Sequence, residues 1–297
     1  EDISNNLYAK SKIKSENVWN GIIRILWGLL KKFVIAGRIS ILISTITGDT
    51  EIYKGAYALL AMLLYSIQLY SDFSGGIDIV IGASKIIGIN LKENFNAPYM
   101  AEDVKEFWRR WHISLSTWLK DYVYIPLGGN RCSKIRNKVN LIITFLISGI
   151  WHGIHYLLWG LIHGILVAYS KYLKTKWKIL NRIINYIIVS LLWCFFVWPD
   201  TILALKMLVS VFTNFNYVDL FSNILNLGLN IPNIIVLVLS IIALAIFDVK
   251  KEYFINKIKT SKIEIKTCLI CTLVIFILVF GIYGIGFNVS EFIYSKF

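Results

Sequence analysis

The sequence predicts an all-α, polytopic transmembrane protein in which some helices re-enter or only half span the bilayer. Composition is the first ground: of 297 residues, 57% are apolar and 16% charged, too little charge to cover a soluble surface of that size. Second, apolar runs of helical length alternate with short basic clusters. Third, all four histidines, His112, His152, His155 and His163, lie in or beside these runs, where an ionisable group is costly to keep and functional by default. Lys and Arg number 31 against 18 Asp and Glu, a net charge of +13. Because the basic residues cluster between spans, they read as cytoplasmic loops touching anionic membrane lipid, and nucleic acid is excluded as a partner. Cys132, Cys194, Cys268 and Cys271 form no disulfide or metal framework and read as inert thiols. No repeat or linker divides the chain, so residues 1–297 read as one membrane domain.

Taken in order, residues 1–17 are a polar lead-in. Residues 18–47 are apolar but interrupted by Lys31, Lys32 and Arg38, which suits either a span with a snorkelling basic end or two broken pieces. Residues 55–73 form a clearer span ending at Gly75-Gly76. Residues 77–91, with Asp78, Gly82 and Lys85, suit a short re-entrant or protein-buried helix. Residues 101–124 carry Val104, Phe107, Trp108, Trp111, Leu115, Trp118, Leu119 and Tyr122 at helical spacing, which predicts one amphipathic interfacial helix with His112 where its faces meet.

The basic residues Arg131, Lys134, Arg136 and Lys138 precede the apolar run 139–151, and Lys171, Lys174, Lys176, Lys178 and Arg182 follow the run 154–170. Both clusters are cytoplasmic by the positive-inside rule. The thirteen residues of the first run rise roughly 20 Å as a helix, short of a roughly 30 Å apolar core. The chain is therefore expected to enter, turn near Trp151-His152-Gly153 and return, with His152 at the apex. Residues 183–198 then cross outward, 199–230 lie outside, 231–247 return to a lysine-rich loop, and 267–287 cross again.

No Asp or Glu occurs between Tyr122 and Pro199. His152 thus reads as a neutral imidazole suited to general-base chemistry, or equally as a histidine bonding a neighbouring helix. His112, one turn from Arg109 and Ser116, could orient an anionic donor with Arg109 or Arg110, or simply be solvated. His152, His155 and His163 lack a further ligand for a metal. Ser114 and Ser116 have no flanking glycines to make a nucleophile turn. Asp72 and Asp78 are expected to pair with Lys85, Arg109 or Arg110. Gly128-Gly129-Asn130-Arg131 predicts a tight turn. Trp108, Trp111, Trp118 and Trp151 suit either a substrate tunnel or an interfacial belt.

Five strings add a resemblance: Tyr70-Ser-Asp-Phe-Ser-Gly, Glu93-Asn-Phe-Asn-Ala-Pro-Tyr, Phe107-Trp-Arg-Arg-Trp-His-Ile-Ser-Leu-Ser, Asp121-Tyr-Val-Tyr-Ile-Pro-Leu-Gly-Gly-Asn-Arg and Gly149-Ile-Trp-His-Gly. Together they resemble the membrane-bound O-acyltransferase family, in its bacterial branch that O-acetylates exported polysaccharides such as alginate more than in the branch that D-alanylates teichoic acid. The resemblance covers about residues 20 to 170. Gly76, Ile77 and Val197-Trp198-Pro199 depart from the family pattern, and further N-terminal spans are expected upstream of Glu1. The resemblance implies helices around a central tunnel in a bacterial cell membrane. His152 matches the catalytic histidine, and His112 the second functional one. Arg109, Arg110, Trp108, Trp111, Trp151, Asp72 and Asn130 are candidate substrate contacts. It implies no bound cofactor, a cytoplasmic acyl thioester such as acetyl-CoA as donor, and as partner an exported polysaccharide or an acetyl-carrying protein. The rival reading is a transport or scaffold subunit whose Asp72, Asp78 and histidines line a polar path.

Overall fold

Every regular element among residues 14–283, those that the computed structural model describes, is helical. The lead-in before residue 14 and the end of the run 267–287 lie outside the described residues. Helix α1 (Ser15–Leu30) passes through a π-helical turn, Lys31–Ala36, into α2 (Gly37–Gly48), and α3 follows (Ala56–Ile86). Two short helices, α4 (Val104–Arg110) and α5 (Ile113–Leu119), precede the hairpin of α6 (Lys134–His152) and α7 (Leu157–Tyr169). Then come α8 (Lys178–Leu192), α9 (Cys194–Val197), α10 (Thr201–Thr213), α11 (Tyr217–Ser222), α12 (Ile231–Val249), α13 (Lys251–Thr260) and α14 (Ile263–Phe280). Three stretches among the described residues are long and apolar enough to cross a membrane: Lys178–Val197, Ile231–Val249 and Ile263–Phe280. They coincide with the runs predicted to cross at 183–198, 231–247 and 267–287.

The chain clusters into two compact units, residues 14–42, 67–93 and 225–283 in the first and 43–66 with 94–224 in the second. The first unit corrects two expectations. No turn occurs at Gly75-Gly76, and 77–91 is no separate re-entrant segment; α3 runs unbroken through both glycines to Ile86. A Cβ on Gly75 would lie 2.8 Å from the Gly28 carbonyl oxygen, and one on Gly28 would lie 2.5 Å from that of Gly75. Gly21 and Gly82 repeat the arrangement two turns away, at 2.6 and 2.7 Å. The glycines that looked like a helix break are therefore the contact face on which α1 and α3 touch backbone to backbone, antiparallel.

That close contact also redirects the acids. Asp78 accepts from the Arg24 guanidinium at 3.0 and 2.9 Å and pairs with Lys31 Nζ at 2.6 Å, while Lys32 pairs with Asp72. Arg24 also bridges to Glu93 at 2.7 Å. The expected partners Lys85, Arg109 and Arg110 are not the ones found, because Arg24 of α1 and Lys31 and Lys32 of the π turn after it lie along the antiparallel seam. Lys31 does not snorkel: it is 3% exposed and also donates to Ser74 Oγ at 2.7 Å. Arg38, equally buried, donates to Asn233 Oδ1 at 3.1 Å and to the carbonyls of Val34 and Phe280, which ties α2 to α12 and α14.

In the second unit, α8 is held through polar groups on its inner face. Ser190 Oγ shares a 2.7 Å hydrogen bond with Ser66 Oγ, Tyr186 donates to the Leu63 carbonyl at 2.7 Å, and Asn185 donates to the Ala101 carbonyl at 3.2 Å. The α6–α7 hairpin forms as predicted, turning at Gly153, whose φ of +129° and ψ of +155° suit glycine alone.

Removing one partner of a buried pair strands the other charge, at a cost of roughly 3–5 kcal/mol. Asp78→Ala, which leaves Arg24 and Lys31 without their shared acid, is expected to lower the thermal unfolding midpoint in detergent sharply. Asp121→Ala, which removes the exposed Lys120–Asp121 pair, is expected to leave it nearly unchanged. Equal midpoints for the two variants would refute the clamp.

Candidate active site

The predicted single helix over 101–124 is broken at the residue of most interest. Asp103 caps α4 by accepting the Glu106 amide at 2.7 Å, and Lys174 braces that cap at 2.7 Å from Asp103. At the far end of α4 Trp111 is extended and His112 is left-handed, with φ +44° and ψ +56°. A non-glycine residue held there carries strain of the kind found at functional sites. Polar groups freed by the break find partners outside the helices. The Asn94 carbonyl accepts the Ile113 amide at 3.0 Å, and Asn94 Oδ1 accepts the Ser114 amide and hydroxyl at 2.9 Å each. Ser116 Oγ donates to the carbonyls of Trp108 and Trp111 at 3.0 and 3.3 Å. Ser114 and Ser116 thus splice the break. Amphipathic periodicity hides such a break, because the apolar stripe continues through it while the backbone does not.

His112 stands directly ahead of α5, and its Nδ1 accepts the Leu115 amide at 3.4 Å. Ser114 Oγ lies 3.3 Å from the same nitrogen, so Nδ1 faces both a backbone amide and a hydroxyl. The helices flanking His112, seven residues each, rise roughly 10 Å and cannot span a bilayer. Burial, and then the neighbouring charge of His152, hold the His112 imidazole down to about 4. The ring is neutral at physiological pH.

His152 is the last residue of α6, at the hairpin apex as predicted. The two arms approach as closely as backbones can: a Cβ on Gly149 would lie 2.6 Å from the Tyr156 carbonyl oxygen, and one on Gly160 would lie 2.4 Å from that of Phe145. Its half-buried ring is walled edge-to-face by Trp159 at 5.9 Å, Phe196 at 5.8 Å and Tyr156 at 6.4 Å between centroids. Next to it, Trp151 is 60% exposed and meets Trp118 at 5.3 Å. The two histidines lie in one compact unit, where α5 and the end of α6 meet through Trp118 and Trp151.

The remaining candidates divide. Trp108 donates from Nε1 to His163 Nδ1 at 3.1 Å, and Trp111 is 3% exposed, stacked on Phe107 at 5.5 Å; both belong to an aromatic core with Trp159 and Trp193. Arg110 is engaged by Glu106 at 2.6 Å, and Arg109 is exposed. Asn130 is exposed in its turn, where Gly128 and Gly129 have φ of +109° and +54° as predicted. Asp72 belongs to the other unit, buried against Lys32. Sequence reasoning missed Trp159, Phe196 and Asn94, and set His163 aside. Asn94 lies within one of the family-like strings; the aromatic walls carry no local signal, since an aromatic in an apolar run looks alike on any face.

A family model described as the membrane-bound O-acyltransferase family matches residues 21–212. Over 248 residues the chain is 37% identical to a Pseudomonas aeruginosa protein named "Probable alginate O-acetylase AlgI", covering 78% of this chain and 46% of that one. It is 42% identical over 202 residues to a peptidoglycan O-acetyltransferase of Helicobacter pylori, 65% of this chain and 38% of that one. To a teichoic acid D-alanyltransferase of Bacillus subtilis it is 34% identical over 180 residues, 56% of this chain and 45% of that one. The chain spans less than half the length of these relatives.

Two outcomes follow from the His112 geometry. A left-handed β-branched residue costs about 1–2 kcal/mol and a lost cap about 1 more, so His112→Val is expected to destabilise by about 2–3 kcal/mol, while His112→Asn, which tolerates the conformation and caps, keeps the wild-type unfolding midpoint. The ring also binds a proton less readily folded than unfolded, where its value is near 6.5. Between about pH 4 and 6.5 the unfolded chain holds more protons, so this residue's contribution to stability rises with pH across that window and is flat above it. Unfolding midpoints measured from pH 4 to 7.5 should be less pH-dependent in His112→Asn; an identical slope would count against a buried, neutral His112.

Proposed function

From a chain that belongs to the membrane-bound O-acyltransferase family, we propose an O-acyltransferase of the bacterial cell membrane that moves an acyl group, acetyl by preference, from a cytoplasmic thioester to hydroxyls of an exported polysaccharide. The observation that carries the mechanism is that α5, which His112 caps, meets the end of α6 that bears His152, through Trp118 against Trp151 at 5.3 Å between ring centroids. His152 takes the proton of the acceptor hydroxyl as that oxygen attacks the thioester carbonyl. The carbonyl π pair moves onto oxygen, where the His112 Nε2–H donates to it; a single preorganised donor of this kind is typically worth about 10²–10³ in rate. Collapse breaks the C–S bond, and the His152 imidazolium returns the proton to the departing thiolate. The products are an ester and a free thiol, with no acyl-protein intermediate and no resident cofactor. Acetyl-CoA or an acyl-carrying protein fits the donor role equally by this chemistry. The names of the relatives, alginate, peptidoglycan and teichoic acid enzymes alike, support a cell-surface polymer as acceptor. The first two favour acetate over D-alanine.

The wall of Trp159, Phe196 and Tyr156 keeps His152 in a dry, fixed orientation, the condition under which a neutral imidazole serves as base. Trp151 and Arg109, both exposed near the pair in sequence, are left for substrate contact; Trp108 and Trp111 act by holding the core.

The test is ester-linked acetate on cell-surface polysaccharide in cells producing the wild-type protein, His152→Gln or His155→Gln at matched membrane levels. Loss of at least about 10²-fold in His152→Gln is expected, with His155→Gln, an exposed neighbour, near wild type. Wild-type acetate in His152→Gln would sink the base assignment.

A further inference from the structure

A notch of about 450 Å³ lies in the second unit between the segment that follows α2 and helix α10. Its wall is fixed by a contact that only glycine permits: Gly55 has φ +64°, and a Cβ there would lie 2.1 Å from the Asn214 carbonyl oxygen. The Gly55 amide donates to Ser210 Oγ at 2.9 Å, and Ser210 donates onward to the Met207 carbonyl at 2.7 Å. Met207 and Ser210 are buried and form the floor. The rim is different in kind. Ile202, Leu205 and Val209 are 66%, 38% and 55% exposed, on one side of α10 by their spacing, and between them stands exposed Lys206. Lys54 faces the same notch and has a single acidic neighbour there, Glu51, at 3.7 Å with its side chain 92% exposed.

An aqueous groove has no use for three bared aliphatic side chains, and a purely lipid-facing surface has none for two ammonium groups. One class of ligand answers both. We propose that this notch binds an anionic phospholipid, its phosphodiester held by Lys54 and Lys206 and one acyl chain laid along Ile202, Leu205 and Val209. Lysine stems follow an apolar surface while their ammonium groups reach the headgroup level. Two cations against the single acid Glu51 leave the notch positive, which favours an anionic headgroup over a zwitterionic one. The Lys54–Glu51 pair, largely in solvent, is weak enough for a phosphate to replace. The site is separate from the histidine pair and does not rest on the acyl-transfer reading.

The experiment uses the purified protein in detergent, titrated with dioleoyl phosphatidylglycerol, dioleoyl phosphatidylcholine or inorganic phosphate, with bound lipid read by native mass spectrometry. Phosphatidylglycerol is expected to be retained at least fivefold over phosphatidylcholine, and Lys54→Gln/Lys206→Gln, two surface changes that leave the buried floor intact, is expected to abolish that preference. Equal retention of the two lipids, or an unchanged preference in the double variant, overturns the proposal. So does full displacement of the lipid by millimolar phosphate, which would mark a bare anion site. A photocrosslinker placed at position 209 in native membranes gives the last arm: label in extracted lipid supports the site, and label on a polypeptide replaces the lipid with a protein partner.

Discussion

In an apolar surrounding a backbone amide or carbonyl finds no water, and each one left unpaired costs several kcal/mol. This constraint shapes the chain wherever it departs from a plain helix. At Lys31–Ala36 the helix widens into a π turn and keeps its bonds. At Trp111-His112 it breaks, and groups freed there are taken up by Asn94, Asn96, Ser116 and the His112 ring. The strained φ at His112 persists because these partners over-determine it. The same bonds that satisfy the backbone hold the imidazole in place, so the break and the chemistry proposed for it share one cause.

Charge obeys the same rule in the first unit. Lys31, Asp72 and Arg38 are almost fully buried, and each is met by an acid, a base or a carbonyl. The glycine pairs 28 with 75 and 21 with 82 bring α1 and α3 close enough for short bonds, and those bonds in turn fix the register of the two helices. Neither feature stands alone: without the glycines the ions would be too far apart, and without the ions the seam would carry unpaired charge in a dry interior.

Much of this was legible. Composition and the spacing of apolar runs gave the helical membrane class, the three stretches long and apolar enough to cross a membrane, and the hairpin with His152 at its apex. The strings around His112 and His152 gave the family. What periodicity could not show was whether a helix continues. It suggested a turn at Gly75-Gly76, where the helix continues because glycine there serves a neighbour. It suggested one helix over 101–124, where the backbone breaks while the apolar stripe goes on. Both errors have one source: periodicity records which side chains are apolar, and continuity depends on which backbone groups find partners elsewhere.

By itself, then, the sequence determined the class and the family, because hydropathy and short motifs are local properties that survive any packing. Only the tertiary structure decided that Asp78 answers Arg24 and Lys31, that Trp108 serves His163, and that Trp159 and Phe196 wall His152. These are contacts between residues as many as 55 positions apart. They form because desolvated charges, amides and rings pair with whatever the fold brings near, and that proximity is written in no single segment of the chain.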